Sequence, residues 1–332
     1  MTGARCTVAL DAMGGDAAPA EQVKGALLAA ERGVRVLLVG DRKPLEAELA
    51  RQGAPGGCAA EIVPSEGVVA EGENPVRALR ANPRVSIAVA AGLVRDGRAD
   101  ALVSMGSTGA AMAASVLSLG TFEGLERPAL GGPFIALAPG VSIIDLGSQV
   151  DCRPGQLVSF AALGAAFARA YQGVAEPRVG LLSVGGEQGK GNRLVQDAYP
   201  LLERSGLRFV GNVEGHEIFL DKADVVVCDG FTGNVLLKYT EGLAEAAGRY
   251  LARVLGADTE AVRAIRGMAA EAELAGGPLF GVNGGVVIGH GRSTAHHYAN
   301  AIVRAAEVVE KGVVDAMRNE MAAVLAKTEA PE

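Results

Sequence analysis

The chain alternates short apolar runs with longer segments in which apolar residues recur every three or four positions. Runs rich in valine, isoleucine and leucine are typical of strands buried on both faces, whereas the longer spacing predicts helices. The predicted strands are residues 7–10, 34–39, 59–64, 101–103, 141–145, 178–184 and 225–228. The predicted helices are residues 20–32, 43–52, 85–95, 155–171 and 193–204, and two more begin near residue 110 and at residue 234. This order predicts an α/β protein.

The C-terminal third of the chain continues the order with longer helices. One helix is predicted over 259–272, residues 278–287 return to the core, and a closing helix covers 294–311. An apolar face of the helix that begins at residue 234 consists of Val235, Tyr239, Leu243, Ala246, Tyr250 and Val254. We expect residues 1–332 to form one catalytic unit with two lobes, 1–143 plus 282–332 and 144–281, the second containing a helical pair at about 234–272.

Composition narrows the class of protein. With 332 residues, 49% of them hydrophobic, the chain can bury a large core, and its 46 glycines suit many short turns. A net charge of -7, no tryptophan and 4% aromatic residues argue against nucleic-acid binding. Cys6, Cys58, Cys152 and Cys228 form no CxxC pair, so neither a zinc site nor a disulfide framework is predicted. Without a signal peptide or a long apolar run, we expect a cytoplasmic protein, soluble or at most peripheral to the membrane.

Small and polar residues follow several predicted strands, where the crevice of an open α/β sheet binds its ligands. The first such loop reads DAMGGD over 11–16. Its glycines allow close approach of the backbone to a ligand, although a glycine turn with Asp16 as a helix cap explains the loop equally well. Its candidate site residues are Asp11, Gly14, Gly15 and Asp16.

A second loop, SMGSTGA over 104–110, places hydroxyls and glycines ahead of a helix. A helix N-terminus with hydroxyl donors predicts a cradle for a phosphate or a carbonyl, with a plain helix cap as the alternative. The candidates here are Ser104, Gly106, Ser107, Thr108 and Gly109. Between these two loops, residues 65–83 form a polar insertion with Arg77 and Arg80 on a short helix, either a lid or a solvated segment.

A third loop, GGEQGKGN over 185–192, carries one cation, Lys190. It is not a P-loop, because three residues rather than four separate Gly185 from Gly189, and Gly191 stands where a serine or threonine is needed. The interpretation is a glycine-rich anion loop, and a solvated lysine in a turn is the alternative. Its candidates are Glu187, Gly189, Lys190, Gly191 and Asn192.

The stretch 223–238 shows the strand, loop and helix order most clearly, with a valine run followed by DGFTGN. Its polar residues are expected to line the crevice, and Asn234 either caps the helix or touches substrate. The candidates are Asp229, Gly230, Thr232, Gly233 and Asn234, to which Asp145 and His290 from two further strand ends are added. Cys228 lies inside the apolar run and is interpreted as packing.

Together these motifs identify a family. DAMGGD at 11–16, SMGSTGA at 104–110, GGEQGKGN at 185–192, NVEGHE at 212–217, DGFTGNVLLK at 229–238 and GHGRS at 289–293 occur in the order expected. On these residues the chain resembles the bacterial acyl-ACP:phosphate acyltransferases of phospholipid synthesis, over residues 6–312. Three positions depart from the pattern: Ser107 in place of asparagine, DLGSQ at 145–149 in place of DxGAN, and Gly186 in place of an acid.

The resemblance implies a three-layer α/β/α fold with a mostly parallel sheet, like isopropylmalate dehydrogenase and phosphotransacetylase. It implies an enzyme that moves a fatty acyl group from acyl carrier protein to inorganic phosphate, giving acyl phosphate for a glycerol-3-phosphate acyltransferase. It also implies a homodimer and weak contact with the inner face of the membrane.

The candidate residues suit that chemistry. Phosphate is already an anionic nucleophile, so the protein must position it and stabilise the oxyanion, for which the glycine loops and Lys190 are candidates. His290 and Lys190 are candidates for assisting the departing thiolate. The reaction requires no metal or cofactor. Rival interpretations are a phosphotransacetylase that uses acyl-CoA, a nicotinamide dehydrogenase of the same fold, and a non-catalytic scaffold that binds acyl carrier protein.

Arginines on the helical pair offer a contact for an acidic carrier protein or a membrane. Two pairs each share a helical face, Arg249 with Arg253 and Arg263 with Arg266. The alternative is a set of solvated arginines balanced by neighbouring glutamates, Glu241, Glu245, Glu260 and Glu271.

Overall fold

A computed structural model of the chain describes residues 6–54, 60–133, 138–257, 259–274 and 276–328, with only the backbone given for 268–274. Cys58 lies outside the described residues. The chain divides into two units, Met1–Phe122 with Glu273–Val314, and Glu123–Ala272 with Asp315–Glu332. Among the described residues no helix combines the length and the apolar character needed to cross a membrane.

The first unit is built from strands and helices in alternation. Its strands are β1 (Thr7–Asp11), β2 (Arg35–Gly40), β3 (Ala60–Pro64), β4 (Ala101–Ser104), β10 (Gly277–Phe280) and β11 (Gly285–Ile288). Its helices are α1 (Ala20–Glu31), α2 (Arg42–Arg51), α3 (Pro75–Ala81), α4 (Ser86–Arg95), α5 (Thr108–Leu119) and α10 (Ala295–Glu310). The strands lie in the order β3-β2-β1-β4-β11-β10, all parallel to their neighbours except β10.

Alternate side chains of these strands face helices on opposite sides. Val8 and Leu10 of β1 join the core cluster that contains Tyr298 and Ile302 of α10, together with the buried face of α1. Helix α4 packs against β1, β2 and β4, and α5 packs against α4. Because successive strand residues point to opposite faces, the fully buried Ala9 faces the side away from that cluster. The first unit is therefore a three-layer arrangement.

The second unit repeats the principle with different connections. Its strands are β5 (Ala129–Pro133), β6 (Ser142–Ile144), β7 (Arg178–Leu182), β8 (Arg208–Val213) and β9 (Val225–Val227), in the order β5-β6-β9-β7-β8. Its helices are α6 (Pro154–Ala170), α7 (Arg193–Arg204), α8 (Gly230–Leu255), most of α9 (Glu260–Leu274) and of α11 (Val313–Thr328), with a short 3₁₀ helix over Gly215–Phe219. Only β5 is antiparallel to its neighbour among the pairings described.

Packing in the second unit uses both faces of these strands. Gly164 of α6 lies directly against Val225 and Ile144, where a larger residue would not fit. On the other face Ile143, Val226 and Cys228 belong to one buried cluster, against which Leu236 and Leu237 of α8 pack. The predicted fold class, α/β with three layers and mostly parallel strands, is confirmed.

Several details differ from the sequence-based expectations. Helix α8 begins at Gly230 rather than at residue 234, because the Asp229 carboxylate accepts the N–H of Thr232 and caps the helix one turn earlier. Strands β5 and β8 and helix α11 lie outside the predicted elements. The residues of β5 read ALGGP, a poor strand signal, and its pairing with β6 places it.

The unit boundaries also differ from the predicted lobes, since residues 123–143 and 315–332 group with the second unit and residues 273–281 group with the first. Antiparallel pairing joins β5 to β6, and α11 is held to α6 by an ion pair of 2.8 Å between Glu320 and Arg169. These tertiary contacts leave no periodic signal in the sequence.

The long helix α8 keeps much of its apolar face exposed. Val235, Tyr239, Leu243, Tyr250 and Val254 are between 52% and 66% exposed. Such a row on one side of a helix is larger than the scattered apolar residues normal for a surface. It is therefore a surface that a partner can cover.

Two helical glycines give a matched test of this packing. Gly25 of α1 faces α10, where a Cβ would overlap Cβ of Tyr298 and lie 2.9 Å from the carbonyl oxygen of Ala295, whereas Gly242 of α8 has open space around it. We predict that Gly25→Ala lowers the free energy of unfolding by about 1–3 kcal/mol through overpacking. Gly242→Ala should raise it by about 0.5–1 kcal/mol, because alanine favours helix. Urea unfolding checks both, and equal effects would contradict the α1–α10 packing.

Candidate active site

In the first unit, the loops after β1, β4 and β11 lie side by side, because these parallel strands are neighbours. Together with residues 68–71 they enclose a pocket of about 600 Å³. The predicted residues that line it are Asp11, Gly14, Gly15, Asp16, Ser104, Gly106, Ser107, Thr108, Gly109 and His290. The structure thus brings together every candidate that the sequence placed in this unit.

Asp11, at the end of β1, ties two of these loops together. Its carboxylate is 3% exposed and accepts the Ser104 hydroxyl at 2.8 Å and the N–H of Gly14 at 3.2 Å. Burial raises the pKa of Asp11, and hydrogen bonds from the hydroxyls of Ser86 and Ser104 oppose that rise. A Cβ on Gly14 would lie 3.0 Å from Cα of Gly106, so the loops meet backbone to backbone. Asp11 therefore shapes the pocket.

Two residues absent from the sequence-based candidates hold the Gly14 carbonyl. Gln22 Nε2 donates to this carbonyl at 2.6 Å, and the Tyr298 hydroxyl donates to it at 3.1 Å. Gln22 Nε2 also donates to the oxygen of the Tyr298 hydroxyl, at 2.9 Å. Burial, with the nearby Asp11 charge, raises the pKa of Tyr298, so the hydroxyl stays protonated and donates. Gln22 and Tyr298 are 276 positions apart. No local pattern could have identified them.

The N-terminus of α5 opens into this pocket. Ser107 caps the helix by accepting the N–H of Ala110 at 3.4 Å, so the cap interpretation of this loop is confirmed. The N–H groups of Thr108 and Gly109 lie before the first helical hydrogen bond and are directed towards the pocket end of the helix. Uncompensated N–H groups at a helix start favour anions. The cap and the anion-binding role are therefore compatible.

Asp16 does not cap a helix, because α1 begins at Ala20 with Pro19 before it and no side-chain cap. Its N–H donates instead to the Gly291 carbonyl at 2.9 Å, joining the first loop to the loop after β11. In that loop His290 is half-buried, and its Nδ1 accepts the N–H of Arg292 at 3.3 Å. A neutral ring that accepts at Nδ1 carries its proton on Nε2. His290 in that tautomer can therefore donate a hydrogen bond from Nε2.

The second unit contains the remaining candidates. Asp145 follows β6 with φ 76°, and it is fully buried. Its carboxylate accepts the N–H groups of Ser148 at 2.7 Å, Gln149 at 3.0 Å and Gly147 at 3.1 Å, and also the Ser148 hydroxyl. Burial raises its pKa, while these hydrogen bonds lower it. Asp145 is thus the anchor of the DLGSQ turn.

The start of α8 lies directly on that turn. A Cβ on Gly233 would overlap the Asp145 carbonyl oxygen, and one on Gly230 would lie 2.9 Å from the Asp145 carboxylate. Asp229 accepts the N–H of Thr232 at 2.9 Å and its hydroxyl at 2.7 Å. The proposal that Asn234 caps this helix is wrong, because Asp229 does so. Asn234 is exposed and lies beside Gly147.

The remaining loop follows β7 and leads into α7. Gly189 and Gly191 have φ values of 88° and 99°, which only glycine adopts readily, and the Asn192 side chain caps α7 by accepting the N–H of Val195 at 3.0 Å. Lys190 and Glu187 are exposed. The backbone N–H of Lys190 donates to the backbone carbonyl of Glu187 at 3.2 Å. Lys190 Nζ makes no ion pair with the described residues.

Gly186, which stands where the family pattern has an acid, lies near the side chain of Lys222. A Cβ there would lie 3.7 Å from Nζ of Lys222, so a longer acidic side chain at 186 would face that cation. In this chain Lys222 instead pairs with Glu217 at 2.6 Å. Lys222 therefore has a carboxylate partner although residue 186 is a glycine.

Two arginines of the helical pair share one glutamate. Arg249 and Arg266 both pair with Glu245, at 3.4 Å and 3.8 Å. Arg266 also packs on Gly248 of α8, where no Cβ would fit. Arg253 lies over the Tyr250 ring at 5.6 Å. Arg263 is exposed. These contacts make the helical pair a less basic surface than the sequence alone suggests.

The buried cysteines do not have the features of nucleophiles. Burial raises the pKa of Cys228, and it raises that of Cys152 to about 12. The Cys228 sulfur lies 3.6 Å from the carbonyl oxygen of Asp145, inside the core. Within the described ranges, histidines, cysteines and acids form no group of three arranged as a metal site.

The fold is shared with phosphotransacetylases. A phosphotransacetylase from Streptococcus pyogenes superposes with a TM-score of 0.62 at 17% identity, covering 93% of this chain and 95% of that one. A branched-chain phosphotransacylase from Enterococcus faecalis superposes with a TM-score of 0.59 at 15% identity, over 92% and 99%. At these identities the likeness concerns the fold alone.

Sequence relatives define the family. The family described as "Fatty acid synthesis protein" matches residues 6–316. Proteins named phosphate acyltransferase from Pelotomaculum thermopropionicum and Thermus thermophilus are 44% and 45% identical, covering 96% of this chain and 96% and 99% of theirs. The chain belongs to the phosphate acyltransferase family. It is an acyltransferase rather than a dehydrogenase or a non-catalytic scaffold.

The helix cap at the start of α8 provides a direct test of the local structure. We predict that Asp229→Ala lowers the free energy of unfolding by about 1 kcal/mol, because the N–H and the hydroxyl of Thr232 lose their acceptor. Asn234→Ala should change it by no more than about 0.5 kcal/mol, as expected for an exposed residue without a cap role. Urea unfolding of both variants measures the two free-energy changes. A larger loss in Asn234→Ala than in Asp229→Ala would show that Asn234 caps the helix.

Proposed function

We propose that the protein transfers a fatty acyl group from the thioester of acyl carrier protein to inorganic phosphate, releasing acyl phosphate and the free carrier thiol. The observation that carries the proposal is the first-unit pocket, in which the N-terminal N–H groups of α5 lie among glycine loops and the hydroxyls of Ser107 and Thr108. Such a pocket suits a phosphate or an oxyanion. Membership of the phosphate acyltransferase family supports acyl transfer to phosphate.

The reaction needs positioning more than a covalent nucleophile. A phosphate oxygen attacks the thioester carbon, the carbonyl oxygen becomes an oxyanion, and the carbon–sulfur bond then breaks as the carbonyl re-forms. Backbone N–H groups at the start of α5 are the candidate donors to the oxyanion. Nε2–H of His290 is the candidate hydrogen-bond donor to the departing thiolate, because its Nδ1 already accepts a hydrogen bond, and the thiolate then takes up a proton from solvent to give the carrier thiol. Raised pKa values of the cysteines agree with direct attack by phosphate.

The residues of the second unit are proposed to contribute charge and hydrogen bonds. Lys190 is the exposed cation of its loop. Because Asp229 rather than Asn234 caps α8, the side-chain amide of Asn234 can form a hydrogen bond with substrate. Asp145 and Asp229 are proposed to hold the loops, since their oxygens already accept hydrogen bonds. The backbone carbonyl of Glu187 accepts a hydrogen bond from Asn212 Nδ2 at 2.9 Å, which ties the loop of Lys190 to β8.

The exposed apolar face of α8 supports a proposal about assembly. We assign it to pairing with a second copy of the chain, since tyrosine, leucine and valine recur along one side of 26 residues of helix. Weak peripheral contact with the inner face of the membrane is proposed for the same region. Acyl phosphate is then delivered to a glycerol-3-phosphate acyltransferase for phosphatidic acid synthesis, in the cytoplasm.

The decisive experiment incubates the purified protein with phosphate and palmitoyl-loaded acyl carrier protein. Acyl phosphate, trapped by hydroxylamine, and free carrier should appear in equal amounts and depend on phosphate. Palmitoyl-CoA in place of the carrier tests the alternative donor. A clear preference for palmitoyl-CoA would make the protein a phosphotransacetylase, and no product from either donor would refute acyl transfer to phosphate.

Lys190 gives the sharpest substitution. Lys190→Ala should raise KM for phosphate and lower kcat, reducing kcat/KM by about ten- to a thousandfold, because one electrostatic contact near the oxyanion has an effect of that order. Lys190→Arg keeps the charge and should retain much more activity. Lys222→Ala removes a neighbouring cation that is already paired with Glu217 and serves as the control. Unchanged phosphate kinetics in Lys190→Ala would remove Lys190 from the site.

A further inference from the structure

One stretch of the first unit is opposite in charge to the protein as a whole. Residues 75–99, which contain α3 and α4, include five arginines and one aspartate, a formal net charge of +4 in a chain of net charge -7. The arginines are Arg77, Arg80, Arg84, Arg95 and Arg98. Glu66, Glu71, Glu73 and Asp100 flank this stretch, so its positive field is local to the arginines that no carboxylate pairs with.

Most of this charge is not neutralised by neighbours. Arg84 pairs with Glu66 at 2.7 Å and Arg95 with Asp96 at 2.8 Å. The guanidinium groups of Arg77, Arg80 and Arg98 are exposed, and no carboxylate of the described residues lies within ion-pair distance of them. An approaching anionic surface can therefore contact them without first breaking an internal pair.

An apolar groove lies beside these arginines. It has a volume of about 470 Å³, and α3, α4 and α5 contribute to its walls. Arg95, Asp96 and Arg98 are its charged lining residues, with Arg95 paired to Asp96, and Leu117 of α5 is 53% exposed in it. The apolar floor consists of Val63, Leu79, Val89, Leu93 and Ala114. An apolar centre with a charged rim is the usual anatomy of a protein docking surface.

The groove and the first-unit pocket share two helices. The pocket is lined by the first residues of α4 and α5, Ser86 and Ile87 with Ser107–Ala110, whereas the groove is lined by later residues of the same helices. Gly109 and Leu117 are eight residues apart on α5, which corresponds to about 12 Å along the helix. A flexible thioester arm can cover such a distance while its carrier stays bound at the groove.

The helical pair that the sequence suggested for this role is less suitable. Residues 230–274 contain five basic and six acidic residues, a formal net charge of -1. Arg249 and Arg266 share Glu245, which further reduces the field that a partner would meet. Charge complementarity therefore favours the groove of the first unit for an acidic partner.

We propose that the groove between α4 and α5, with Arg95 and Arg98 among its lining residues and Arg80 next in sequence to Leu79 of its floor, is the docking surface for acyl carrier protein, an acidic carrier that presents its acyl group on a thioester arm. The proposal rests on the proposed function, since it names where the donor of that reaction binds. The apolar floor receives the carrier's apolar contact, and the arginines steer and orient it.

The test compares two double charge reversals that change the net charge equally. Arg95→Glu with Arg98→Glu alters the groove rim, and Arg249→Glu with Arg253→Glu alters the helical pair. We expect the rim variant to raise KM for palmitoyl-loaded acyl carrier protein about tenfold at low salt and to flatten its salt dependence, because rim charges act through steering. KM for phosphate and kcat should not change, and the helical-pair variant should match the wild type.

Direct binding separates this proposal from the proposed function. Fluorescence anisotropy of labelled acyl carrier protein should show weaker binding to the rim variant and to Leu117→Asp, with melting temperatures equal to that of the wild type. If the wild type bound the carrier but made no acyl phosphate, the proposed function would fail while the docking surface would stand. Wild-type carrier affinity in the rim variant would overturn the docking surface.

Two further outcomes would also overturn it. An effect confined to the helical-pair variant would move docking to α8. Loss of sedimentation with phosphatidylglycerol vesicles in the rim variant, with KM for the carrier unchanged, would make the arginines a lipid-binding surface.

Discussion

In each unit a buried aspartate at the carboxyl end of a strand holds the loop that follows it. Asp11 accepts an N–H from its own loop and the hydroxyl of Ser104 from the neighbouring strand, and Asp145 accepts three N–H groups of the DLGSQ turn. Both lie almost without exposure. A buried carboxylate is costly unless hydrogen bonds surround it, so each aspartate is compatible with only a narrow range of loop conformations.

The glycines of the site act through this constraint. Because Asp11 draws two loops together, Gly14 and Gly106 meet at a distance that leaves no room for side chains. Because Asp145 holds its turn against α8, Gly230 and Gly233 must also lack a Cβ. The backbone is thereby brought close to the pocket, where its N–H groups can meet an anion. The preorganised loops spare the enzyme the free-energy cost of arranging donors during the reaction.

The distribution of charge separates the surface into regions with different uses. The net charge of -7 keeps the protein acidic overall, yet residues 75–99 of the first unit carry +4. The apolar row of α8 lies in a region that is nearly neutral. Nearly neutral apolar surface favours partners held by apolar contacts, whereas the arginines of the groove favour acidic partners.

The sequence by itself determined the α/β class, most of the helix and strand positions and the family. Strands such as 225–227 are valine runs, and loops such as SMGSTGA are local motifs, so both are visible within a few residues. The candidates of the first unit were predicted for the same reason, since each follows its own strand. The structure alone decided the pairing of Gln22 with Tyr298, the cap at Asp229 and the neutralisation of Arg249 and Arg266 by Glu245. Each of these depends on which of several chemically equivalent partners lies within about 3–4 Å, and tertiary packing sets that distance rather than local spacing.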